Sequence, residues 1–258
     1  MTDLDTAYNY RGFTSHRGLA ATAGDLLGQF TISTKVGFFP SSRGPEHCLD
    51  PARLRQAVHQ SVQDMGAKPE VVLLHNPEQT LGELAPEQDH DSWAAACTAL
   101  DDMATAGWCR SWGVACWDPR PVLTVLDRGL PTPALVMVRV GLLVRAEILD
   151  ASDKLATWWG LDAHARWGMS PYGGQATHPV WNEVDARQFL QESQDCSPIP
   201  AAFRVAYELP RVGRVAVSTS SSKHLAELVA ATVLDTDGNR IARYRALLRA
   251  KVLTTEAS

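Results

Sequence analysis

Short apolar runs that end in a polar residue recur along the chain, and each is followed by a turn and then a helical pattern. Four of them read L-D-T-A-Y-N-Y, F-T-I-S-T-K-V-G, V-V-L-L-H-N-P and S-W-G-V-A-C-W-D-P. Compact apolar runs between turn residues mark buried strands, and apolar positions three and four apart mark helices. The pattern predicts strands at 2–7, 30–36, 70–75, 110–117, 134–141, 165–170 and 214–219. Between them it predicts helices at 17–27, 51–65, 92–106, 121–127, 146–158, 185–191 with 201–208, and 225–234. Asp50-Pro51 and Asp118-Pro119 are expected to start helices, the carboxylate capping free amides and the proline preset for the first turn. Gly66, Gly107 and Gly129 are expected to end them.

Strands and helices that alternate this regularly give parallel strands joined by helical crossovers, and closing such a sheet gives a βα barrel. Chemistry in such barrels sits at the C-terminal ends of the strands. No linker, low-complexity stretch or short repeat interrupts the rhythm, so residues 1–258 are expected to form a single domain.

Composition narrows the class. A chain of 258 residues, 45% hydrophobic and 21% charged, suits an α/β domain with a sizeable core. Its net charge of −5 gives no electrostatic reason to expect nucleic acid or an anionic membrane as partner. No apolar run approaches the roughly 18 residues of a membrane span. The start, M-T-D-L-D, lacks the basic and apolar regions of a secretory signal, which points to the cytoplasm. Cys48, Cys97, Cys109, Cys116 and Cys196 are odd in number and scattered, as expected of reduced thiols rather than of disulfides or a zinc site. No metal is expected. Arginine-rich, lysine-poor and alanine-rich composition suits a high-GC coding sequence, where tailoring enzymes of specialised metabolism occur. Trp117 and the pair Trp158-Trp159 are candidate walls of an aromatic pocket, the other tryptophans being packing residues. Arg240, Arg243, Arg245, Arg249 and Lys251 fall on an amphipathic C-terminal helix and read as its solvated face.

Asp5, Tyr10, Lys35 and His75 lie at or just beyond successive predicted strand ends. A free tyrosine titrates near pH 10, so a tyrosine moves protons at neutral pH only beside a cation and a hydrogen-bonding partner. Lys35 supplies the cation, Asp5 the counter-charge that a buried ammonium needs, and His75 a donor that orients a substrate oxygen beside Tyr10.

Three motifs carry a family resemblance: D-T-A-x-x-Y (Asp5, Thr6, Ala7, Tyr10), S-T-K-V-G (33–37) and L-L-H-N-P (73–77). In this order they resemble the aldo-keto reductase family. The resemblance implies an α/β (β/α)8 TIM barrel and NADP(H)-linked interconversion of a small carbonyl compound and its alcohol. It makes Asp5, Tyr10, Lys35 and His75 the catalytic set, with Tyr10 as general acid and base. Phe38 and Trp117 are expected to line the substrate pocket. M-S-P-Y-G-G resembles the family's loop near the cofactor, which makes Ser170 and Gly173 cofactor contacts. Ser218, Thr219, Ser220, Lys223, His224 and Glu227 would bind the phosphate and adenine end, where hydroxyls and free amides at a helix start suit an anion.

The sequence also departs from the family. Ala115 and Cys116 replace the Ser-Asn pair that holds the nicotinamide carboxamide, and Met137 replaces a Gln. Each lost hydrogen bond weakens binding by on the order of 0.5 to 1.5 kcal/mol. Ser218 to Ser222 stand where Gly-Thr-x-x-Pro is usual, and Leu228 where Asn is usual. The family's first strand and helix precede Asp-Thr-Ala, whereas here the chain begins almost at that motif, so the barrel is expected to lack its first βα unit. Such a gap would expose two strand edges unless upstream sequence, a terminal segment or another subunit covers it. These departures keep open a second function: a cofactor-independent lyase, dehydratase or isomerase using the same Asp-Tyr-Lys-His set. A non-catalytic binding barrel would leave those four residues unexplained.

Overall fold

The protein is described by a computed structural model covering residues 2–83, 85–192 and 194–256, with side chains to 251. Two compact units divide it, Met1–Met137 and Val138–Ser258.

The first unit begins with β1 (Asp3–Asp5), a short turn of helix α1 (Tyr10–Phe13), α2 (Ser15–Ala23) and β2 (Thr31–Val36). A hairpin of β3 (Phe38–Ser41) and β4 (Gly44–His47) follows, then α3 (Pro51–Met65), β5 (Val71–His75), α4 (Pro86–Thr105), β6 (Ser111–Cys116) and α5 (Arg120–Thr124). β7 (Leu135–Arg139) runs across the unit boundary. Strands β1, β2, β5 and β6 pair in parallel in that order, with Asp5 level with Ser33, Lys35 with Leu73, and His75 with Ala115. β5 is buried along its whole length, as expected of a central parallel strand covered on both faces. Helix α3 turns Leu54, Ala57, Val58, Ser61 and Met65 inward, a stripe at three- and four-residue spacing.

The second unit holds α6 (Ala146–Trp158), β8 (Arg166–Met169), α7 (Pro198–Ala206), β9 (Arg214–Val215), α8 (Ser222–Ala231) and α9 (Gly238–Glu256). β8 and β9 pair in parallel, Trp167 level with Arg214. Leu142, Leu149, Phe189, Leu190, Phe203 and Ile241 form part of its core.

Local chemistry explains where the elements begin and end. Asp50 accepts a hydrogen bond from the Arg53 amide at 2.8 Å and caps α3, and Gly66 ends that helix in the left-handed conformation. Asp118 accepts from the Arg120 amide at 3.0 Å and chelates the same residue's guanidinium, so it closes a turn at the start of the short α5. Gly129 does not end α5, which stops at Thr124; its amide instead bonds the Asp127 carboxylate. The predicted helix at 17–27 begins at Ser15 and passes into a 3-10 turn from Gly24. The predicted helix at 92–106 begins at Pro86, a proline in the first turn. The segment at 185–191 contains only a 3-10 turn, Ala186–Phe189, and the strand predicted to reach 219 stops at Val215. The hairpin β3–β4 was not expected. The basic residues of α9 form the expected solvated face at Arg240, Arg243, Arg249 and Lys251, all exposed, while the partly buried Arg245 and the exposed Arg249 also bond Asp150 of α6, at 2.7 and 2.6 Å.

Candidate active site

Ser33 and Lys35 are two residues apart on β2 and therefore project from the same face. Both reach Asp5 on the neighbouring strand. The Ser33 hydroxyl donates to Asp5 Oδ1 at 2.8 Å, and Lys35 Nζ donates to Oδ2 at 2.5 Å and to the Thr6 carbonyl at 3.0 Å. Lys35 is 2% exposed, so its ammonium is solvated almost wholly by these groups. Removing the partner of a buried charge costs about 3–5 kcal/mol, which is why lysine and aspartate occur here together.

Past β1 the chain continues alongside β2, with the Thr6 amide on the Ser33 carbonyl and the Tyr8 amide on the Lys35 carbonyl. It then turns sharply. Arg11, Gly12 and Phe13 are all left-handed, at φ of 53°, 61° and 64°. For each non-glycine residue that conformation costs roughly 1–2 kcal/mol. Tyr10 lies at the start of this strained turn. Its ring centroid is 5.4 Å from Lys35 Nζ and 6.1 Å from the His75 ring, and the residue is 42% exposed. Ammonium, phenol and imidazole thus converge on an accessible face.

His75 ends β5 and is followed by Asn76, left-handed at φ 52°, whose amide bonds the Ala115 carbonyl at 2.6 Å. Burial, then the charge of Lys35, then His47, push the His75 imidazole down to about 3, so it is neutral at physiological pH. A neutral imidazole donates from one nitrogen only. Nδ1 is buried without a hydrogen-bond partner among the described residues. Phe38 stands edge-on to His75 at 5.0 Å, so this predicted pocket residue lies against the catalytic candidate.

Three further residues bond into this network, and sequence reasoning missed them. Ser33 fixes the second oxygen of Asp5. His47, on the unexpected hairpin, bonds the His75 carbonyl through Nε2 at 2.8 Å. Glu78 accepts from the backbone amides of Trp117 at 2.6 Å and Asp118 at 3.3 Å, tying the end of β6 to the loop after β5. Burial raises its carboxyl to about 7. The motif S-T-K already contained Ser33, but nothing in a linear pattern brings His47 or Glu78 to the site.

Ala115 and Cys116 are fully buried and Met137 is 1% exposed. None can accept or donate as a carboxamide partner would. Burial, aided by the charges of Glu78 and Asp118, holds the Cys116 thiol well above its usual range, so it is a packing residue.

The predicted cofactor residues belong to the second unit. Ser170 follows β8 in the left-handed conformation, at φ 55°, and Gly173 closes the turn with its amide on the Ser170 carbonyl at 3.0 Å. A Cβ at Gly173 would meet the Leu143 side chain at 3.0 Å. Ser218, Thr219 and Ser220 are exposed in the segment that leads to α8, and Ser221 caps that helix by accepting from the His224 amide. Lys223 and His224 are exposed in its first turn, with Lys223 3.9 Å from Glu227 in an ion pair along the helix. Hydroxyls, a cation and first-turn amides fit a phosphate; the apolar Ala115, Cys116 and Met137 do not fit a carboxamide. Trp158 and Trp159 lie at the C-terminal end of α6, ahead of β8. Trp117 is 42% exposed at the exit of β6.

Parallel strands with helical crossovers, seven in the sheet among the described residues, and a lysine-aspartate-tyrosine-histidine cluster at the strand exits define an α/β barrel with a candidate active site. A sequence model described as "Aldo/keto reductase family" matches residues 1–154, and the chain belongs to that family. It is thus an oxidoreductase by family. The fold is similar to that of the aldo-keto reductase AKR11C1 from Bacillus halodurans in its holo form, with a TM-score of 0.71 and 16% identity over 96% of this chain and 82% of that one. It is also similar to an aldo-keto reductase from Klebsiella pneumoniae in complex with NADPH, with a TM-score of 0.67 and 15% identity over 96% and 80%. No curated protein sequence matches the chain.

Proposed function

We propose that this protein interconverts a small carbonyl compound and its alcohol with NADP(H), using Tyr10 as the proton donor and acceptor. The observation that carries the reading is the cluster itself: a buried Lys35 paired to Asp5, within 5.4 Å of the Tyr10 ring, beside a neutral His75. In reduction, Tyr10 donates its proton to the carbonyl oxygen, and the nearby Lys35 ammonium stabilises the phenolate left behind. Asp5 and Ser33 hold Lys35 in place. His75, neutral, donates a hydrogen bond from its protonated nitrogen to the same oxygen and orients it. Phe38 supplies an apolar wall, and Trp117 a second. Ser218, Thr219 and Ser220, with Lys223 and the first-turn amides of α8, would hold the cofactor phosphates, and Ser170, Gly173, His224 and Glu227 would complete its site. The cofactor, when bound, supplies the hydride. A cytoplasmic location suits five cysteines that are all free thiols.

One observation favours a second reading. The buried apolar Ala115, Cys116 and Met137 leave the carboxamide without its usual partners, as a lyase, dehydratase or isomerase working without nicotinamide would permit. Titration of NADPH into the purified protein separates the two. Saturable quenching of tryptophan fluorescence with Kd below roughly 100 μM, about −5.5 kcal/mol, is expected. Folded protein with no saturable binding would remove the redox reading.

A further inference from the structure

We propose that His47 is a positioning residue for His75: from the β3–β4 hairpin it holds the peptide that carries the catalytic imidazole. This inference rests on the role given to His75 above. His47 is fixed on three sides. Nε2 lies 2.8 Å from the His75 carbonyl oxygen, which can only accept, so Nε2 carries the proton. Nδ1 lies 2.7 Å from the Thr80 hydroxyl and, in the neutral ring, accepts from it. The ring also meets Phe38 edge-on at 4.8 Å, and Phe38 in turn meets the His75 ring at 5.0 Å. His47 therefore reaches His75 by two routes, one through its backbone and one through an intervening ring.

The surrounding chain is shaped for this approach. Gly37, between β2 and the hairpin, adopts φ 143°, and a Cβ there would lie 2.9 Å from the His75 carbonyl oxygen and 3.2 Å from His47 Nε2. Only glycine leaves room for the bond. The carbonyl in question lies at the very end of β5, just before left-handed Asn76, where the next peptide leaves the strand. Among the described residues, none bonds His75 Nδ1 to orient its ring. Backbone and ring packing must do that work, and His47 contributes to both. Burial lowers the His47 pKa, which keeps the ring in the neutral form that this pair of bonds needs.

The test compares His47→Leu, which removes both bonds, with His47→Gln, whose terminal amide places a donor near the position of Nε2. Turnover is measured in the full-length protein with NADPH and 4-nitrobenzaldehyde as carbonyl probe, and the imidazole of His75 is followed by nitrogen NMR. In His47→Leu, kcat is expected to fall roughly 10- to 100-fold with KM changed by less than about threefold, because a misplaced donor is lost mainly from the transition state. The His75 resonance should move. His47→Gln should recover most of both. Wild-type kcat in folded His47→Leu overturns the proposal, and so does equal loss in both variants with equal loss of thermal stability, which would mean packing alone. If His47→Leu does not fold, Thr80→Val removes only the bond to Nδ1; an unchanged kcat and an unchanged His75 resonance there overturn the proposal. If the wild type does not reduce the probe, the resonance decides. Movement in His47→Leu and return in His47→Gln support the positioning of His75 while the reductase reading fails; no movement overturns it.

Discussion

Lys35 has 2% of its surface in water, and among the described residues its only anionic partner is Asp5, so the two residues answer differently to substitution. Asp5→Asn leaves a buried ammonium without its counter-charge, and chemical denaturation should show a loss of about 3–5 kcal/mol. Ser33→Ala removes one neutral hydrogen bond to a carboxylate that keeps its cation, and should cost about 1–3 kcal/mol. A loss below 1 kcal/mol in Asp5→Asn would mean that water reaches the ammonium. His75 makes a pH prediction. Its imidazole is held down at about 3 when folded, against about 6.5 unfolded. Its contribution to stability is therefore complete above pH 6.5 and declines as pH falls toward 3. Wild type should lose more stability than His75→Gln between pH 7 and 4, by thermal denaturation at each pH; parallel curves would show that His75 is hydrated. All four catalytic candidates were legible because strand-end motifs carry them. His47 was not, since its role arises from a hairpin that a run of proline, serine and glycine disguised as a loop.

At the scale of elements, Glu78 ties two strand exits together. Its carboxyl is raised to about 7 by burial, so its effect on stability runs opposite to that of His75. Stability is complete below its unfolded value of about 4.5 and declines as pH rises through 7. Glu78→Gln keeps one acceptor for the amides of Trp117 and Asp118 and cannot ionise. It should gain on wild type in melting temperature between pH 5 and 8; a constant difference across that range would contradict burial of the carboxyl. Helix α9 docks on α6 through Asp150, which accepts from Arg245 and Arg249. Asp150→Ala should cost roughly 1 kcal/mol, less in high salt, because these side chains are only partly buried. The α9 residues were recognisable as basic and helical, but their partners on α6 lie about a hundred positions away. Strand centres were legible from apolar runs. Ends were less so, because 3-10 turns share the residues of short helices and β9 keeps its pairing for only two residues.

At the scale of the whole molecule, the family model matches residues 1–154, and the fold resembles those of aldo-keto reductases at only 15–16% identity. Asp5, Tyr10, Lys35 and His75 lie together in the fold, while Ala115, Cys116 and Met137 are core residues. Tyr10 is the proposed proton donor and acceptor, and replacing it with phenylalanine tests that role most directly, since the ring remains and only the hydroxyl is lost. Oxidation of NADPH by a panel of small aldehydes and ketones should proceed in wild type, and kcat should fall by roughly 10²-fold or more in Tyr10→Phe with unchanged circular dichroism. Equal turnover in the two folded proteins would contradict the account.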